Sequence, residues 1–183
     1  MTHAHHVSSE VQDLITVASR VKIDATLLDK INFPNVDAYN IPWQKAWDEL
    51  VTKAIDEAEP YWKLEDIQGA PKRWPYRHKA LELRSGGLWG STIHRSLVIP
   101  LMMTNQADII AFSEKQDGED ADAGTFNNIQ FEDWRIAFYV FEGNQLIATR
   151  YSPIRFIWVQ FTKPEVKERT EPDTRMAIQR LLD

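Results

Sequence analysis

Apolar residues recur at helical spacing in the first third of the chain and in short, strand-like runs after it. Val11, Leu14, Ile15, Ala18, Val21, Ala25 and Leu28 fall on one helical face, and Ser9 followed by Gln12 fits a capping box. This spacing predicts a helix over about 10–30. Asn32 to Val36 ends it, because Pro34 disfavours helical backbone at the residue before it. A second helix is expected to open near Pro42, where a missing N–H is harmless, and to stop at Pro60. Its face carries Trp43, Ala46, Trp47, Leu50, Val51, Ala54, Ile55 and Ala58, and two tryptophans require a large cover.

Beyond a link punctuated by Gly69, Pro71 and Pro75, strands are expected near 79–84, 91–99, 107–113, 134–141, 145–151 and 154–161. The runs Ile136 to Phe141 and Phe156 to Val159 are apolar at every position, as in strands covered on both faces. Gly143-Asn144 between two such runs is a hairpin signal. A short terminal helix is expected around Pro172 to Leu182. Residues 1–8 show no apolar period and read as a flexible lead, followed by a single domain over 9–183. The pattern predicts an α+β fold: an antiparallel sheet of about five or six strands with two N-terminal helices on one face and a short C-terminal helix.

Composition narrows the function classes. The chain has no cysteine, which excludes disulfides, thiolate nucleophiles and cysteine-ligated metals. The longest apolar run, Leu97 to Met103, is far short of the roughly 18 residues that span a bilayer. The first residues lack the charged and apolar regions of a signal peptide, so a cytoplasmic protein without a membrane partner is expected. The formal charge of −6 opposes coating of duplex DNA. The charge is unevenly spread, however: 72–95 holds six Lys and Arg against one acid, Glu82.

Most constellations carry no specific chemistry. Asp117, Glu119, Asp120 and Asp122 form an acidic stretch within 113–124, but with Asp120 and Asp122 as the first and third calcium ligands the twelfth position is Phe131 instead of a glutamate. It reads as a solvated loop. His3, His5 and His6 read as an adventitious chelating cluster. Ser85-Gly-Gly-Leu-Trp-Gly-Ser91 lacks the lysine and following helix of a phosphate-binding loop and reads as a hairpin or bulge. Ser91, His94 and Ser96 sit in no nucleophile elbow. No catalytic residue, metal or cofactor is therefore expected.

The strongest constellation is the basic and aromatic island: Lys72, Arg73, Trp74, Tyr76, Arg77, Lys79, Arg84, Trp89 and Arg95. Rings that stack on unpaired bases, interleaved with cations that neutralise phosphates, suit single-stranded nucleic acid; the same cations suit an acidic protein partner. Without a catalytic motif, the leading expectation is a small non-enzymatic binding or adaptor protein acting through protein contacts. Single-stranded nucleic-acid binding through the island is the first alternative. The second is a small-ligand-binding or enzymatic pocket between the sheet and the Trp43/Trp47 helix.

Overall fold

A computed structural model describes residues 3–62, 74–89, 94–101, 110–112, 127–129, 137–142, 146–149 and 153–162. In chain order the elements are β1 (His3–His6), α1 (Ser9–Ser19), β2 (Asp29–Phe33), β3 (Val36–Ile41), α2 (Asp48–Glu57), α3 (Glu59–Trp62), β4 (Tyr76–Trp89), β5 (His94–Pro100), β6 (Ile110–Phe112), β7 (Asn127–Ile129), β8 (Ala137–Glu142), β9 (Leu146–Thr149) and β10 (Ile154–Thr162). Single 3₁₀ turns lie at Ala25–Leu27 and Lys45–Trp47. No described helix is long and apolar enough to cross a membrane.

The capping pattern holds, one residue earlier than expected. Ser8 Oγ accepts from the Val11 amide while Gln12 Nε2 donates back to the Val7 carbonyl at 3.0 Å. The Ser8 amide and hydroxyl also donate to the Glu57 carboxylate at 2.7 and 2.6 Å, tying the start of α1 to the end of α2. The helix stops at Ser19 instead of near Lys30. Asp24 Oδ1 accepts from the Thr26 amide and hydroxyl at 2.9 and 2.7 Å, a local alternative to the helical ladder. Val21, Ile23 and Leu28 still pack against the core, so the apolar period was real while the helix was not. The break read at Asn32 to Val36 is a hairpin turn: Phe33 pairs with Val36, and Asn35 takes a φ of 60°, which asparagine tolerates.

The sheet is antiparallel in every pairing among the described residues, and the α+β class is as expected. One run reads β1-β8-β5-β10-β4, with β3 and then β2 added beyond β4; a second reads β4-β9-β6-β7. Ten described strands thus replace the five or six expected, and β1 lies within the segment read as a lead. The helix layer covers one face of the central strands. Trp47, Leu50, Ala54 and Ile55 form one core with Leu97 and Ile99 of β5, Ile157, Val159 and Phe161 of β10, and Ala80 of β4. The opposite face is buried too, at Leu81, Leu83, Val98, Phe156 and Trp158. Gly143-Asn144, where a hairpin was expected, lies outside the described residues; among the described residues β8 pairs with β1 and β5, and β9 with β4 and β6. The acidic stretch 113–124 and the expected terminal helix lie outside the described residues.

Strand β4 belongs to both sheets. Its first part pairs with β10 and β3, and Gly86 to Trp89 pair with β9. Two adjacent irregularities bend it. Ala38 faces Leu83 and Asp37 faces Ser85, so Arg84 is the extra residue of a β-bulge. Gly86 then takes a φ of +84°, and a Cβ there would meet the Asn35 carbonyl oxygen at 2.4 Å. The glycine-rich segment is therefore a strand bend beneath the β2–β3 turn.

Gly86→Ala should destabilise by about 1–3 kcal/mol in urea melts, since it adds both left-handed strain and a backbone clash. Trp47 is 1% exposed and donates Nε1 to the Ala18 carbonyl, so Trp47→Ala should remove about 3–5 kcal/mol. A loss below about 1 kcal/mol in either melt would contradict the corresponding packing.

Candidate functional site

Strand alternation divides the basic island. Trp74 and Arg95 are buried together, with the guanidinium carbon 5.5 Å from the indole centroid. Tyr76 packs near Phe161, with centroids 6.0 Å apart. Arg77 and Lys79 lie on the other face of β4, across from Gln160 and Trp158. Arg84 occupies the bulge, and Trp89 ends β4 opposite Leu146. Lys72 and Arg73 lie outside the described residues.

A cleft opens where β3 leaves β4. The last pair between them is Ile41 with Ala80, and Pro42 follows, with no N–H to continue the ladder. The chain turns away through Trp43, while β4 runs on toward Tyr76. The resulting cleft, about 300 Å³, is lined by Asn40, Ile41, Trp43, His78, Lys79 and Ala80. Its volume is at the lower end of small-molecule sites.

The aromatic wall is fixed from three sides. Trp43 meets the Trp47 ring edge-on at 5.4 Å, donates Nε1 to Asp48 Oδ1 at 2.8 Å, and lies 4.2 Å from the His78 ring. Although His78 keeps a solvent-facing edge, partial burial holds its pKa below the usual 6.5, against the opposing pull of Asp48. The imidazole is therefore neutral at pH 7 and can accept or donate a hydrogen bond. Asn40, which also lines the cleft, sits across from Leu81 in the ladder, and its Oδ1 is shielded from solvent with no hydrogen-bond donor among the described residues. Such an orphaned acceptor costs about 1–3 kcal/mol. Among the described residues, no group of three or more His, Asp or Glu side chains is placed to hold a metal ion.

The sequence reading placed Trp43 on the helix face and, in its second alternative, beside a pocket between sheet and helix, and it overlooked Asn40 and His78. The available signal was the alternation over Val36 to Ile41, which marks a strand and puts Asn40 and Ile41 on opposite faces.

The depressed His78 pKa has a definite consequence. The unfolded chain takes up this proton near pH 6.5 and the folded chain only at lower pH, so His78 leaves stability level above that pH and lowers it as pH falls through the window. His78→Gln should flatten that part of the pH profile in urea melts. An NMR titration placing His78 at or above 6.5 would contradict the assignment.

No protein-family model matches the chain, and no curated protein does. Solved structures do resemble it. A Pseudomonas putida prolyl-4-hydroxylase aligns with a TM-score of 0.53 at 14% identity, over 89% of this chain and 91% of that one. AviO1 from Streptomyces viridochromogenes Tue57 aligns with a TM-score of 0.44 at 9% identity, over 90% of each chain. EutQ of Clostridium difficile gives 0.35 at 9% identity, over 78% of this chain and 81% of that one. The hydroxylase likeness is one of fold alone. That likeness, to an enzyme, runs against the expectation of a non-enzymatic adaptor acting through protein contacts, which is set aside.

Proposed function

We propose that the protein binds a small molecule in the cleft between β4 and Trp43. The observation that carries this reading is the cleft walled by the Trp43 and His78 rings, 4.2 Å apart, with Asn40, whose Oδ1 lacks a donor among the described residues, among its lining residues. A ligand N–H or O–H would satisfy that acceptor, and an apolar ligand face would lie on the Trp43 indole. The likeness in fold to a prolyl-4-hydroxylase supports the same reading. In its enzymatic form, neutral His78 is the group that would take a proton from the bound molecule.

Ligand-observed NMR against mixtures of small hydroxyl- and amide-bearing metabolites tests the proposal. At least one compound should bind saturably and shift the Trp43 indole and His78 resonances. Asn40→Leu and Trp43→Ala should each weaken it about tenfold, the size expected for a lost buried hydrogen bond or ring contact. Binding that persists unchanged in both folded variants would place the ligand elsewhere and overturn the assignment.

A further inference from the structure

A second polar constellation lies away from the cleft, at the bulge of β4. Glu82 sits directly across from Tyr39 of β3 and from Arg155 of β10, so three strands contribute to one row. Its residue is 3% exposed, and a carboxylate so buried costs several kcal/mol unless cations and hydrogen bonds compensate it. Two guanidinium groups do so. Arg84 Nε and Arg155 Nε each donate to a different Glu82 oxygen at 2.6 Å. The bulge re-aims Arg84 so that it also lies over the Tyr39 ring, 4.2 Å from its centroid.

The arrangement leaves charge and donors unused. Glu82 neutralises one of the two cations, and both arginine side chains remain partly exposed, at 38% and 43%. Among the described residues Glu82 is the sole hydrogen-bond partner of either guanidinium, so their terminal nitrogens still have donors to offer. The cations are fixed through Nε, so a third group reaching them would not bear the full entropy cost of ordering two long side chains. An open groove of about 850 Å³ lies beside Tyr39, over whose ring Arg84 sits, and is lined also by Ser85 and, farther along the hairpin, by Lys30 and Asp37. Lys30 and Asp37 lie 3.5 Å apart and largely cancel each other's charge.

We infer that Arg84 and Arg155, positioned by Glu82, form an anion-binding site that takes a phosphate or carboxylate group. A planar guanidinium offers paired donors that match either anion, and two of them held by one carboxylate favour an anion with several oxygens. Glu82 is a positioning residue here. The inference is independent of the cleft, because none of these three side chains lines it.

The test is a titration of the full chain with inorganic phosphate, and separately with acetate, at constant ionic strength set by chloride, followed by ¹H–¹⁵N and arginine side-chain NMR. Saturable shifts at Arg84 and Arg155 are expected. Saturation by both anions assigns the site to carboxylates and phosphates alike, and saturation by phosphate alone assigns it to phosphate-bearing ligands. Arg84→Lys and Arg155→Lys keep a cation beside Glu82 but lose the fork, and each should weaken phosphate about tenfold. Lys53→Gln, on the exposed side of α2, should leave it unchanged. Shifts that chloride reproduces, or that survive in both lysine variants, would overturn the site. If either variant failed to fold, the comparison of phosphate with chloride in the parent protein would still decide.

Discussion

The architecture depends on a place where no side chain fits. At Gly86 the backbone of β4 takes a left-handed turn and passes so close beneath the β2–β3 turn that a single added carbon would strike the Asn35 carbonyl. That bend lets one fourteen-residue strand serve two sheets, pairing with β3 and β10 before it and with β9 after it. It also seats the hairpin. Without the bend, β4 would run straight past β3, and the second sheet would lose the strand that joins it to the first.

Burial on both faces of the central strands then decides where polar chemistry can occur. Leu97, Ile99, Ile157 and Val159 face the helices, while Val98, Phe156 and Trp158 fill the other side. Polar groups with access to solvent are thereby driven to places where a strand departs or is irregular. The cleft forms where proline ends β3, and the guanidinium pair forms where a bulge interrupts the β3–β4 ladder. Both are defects in regular pairing, which is where a sheet exposes backbone and redirects side chains.

The sequence showed the composition of the core more clearly than the shape of its elements. The second helix face is buried as its spacing required, from Trp47 to Ala58, because a 3.6-residue period in an amphipathic segment has few other outcomes. The first was misjudged beyond Ser19, where apolar residues at helical spacing reach the same core without being helical. Asp24 offered the backbone a nearer partner, and β-branched Val21 and Ile23 favoured leaving the helix. The site was less legible still. Asn40 matters only because β3 stops one residue later, and Arg84 and Arg155 meet only because Glu82, the single acid in the basic island, draws together cations 71 positions apart.

The pairing of β1 with β8 has a consequence for how the protein is made. His3 lies opposite Val140, so the first strand to leave the ribosome has its partner among the later ones. At ordinary synthesis rates of about 5–20 residues per second, that edge waits on the order of ten seconds for its complement. The β2–β3 hairpin has no such delay, since its strands are separated by two residues. Early formation of the hairpin, with β1 joining only after β8 has emerged, is the order that this connectivity imposes on a growing chain.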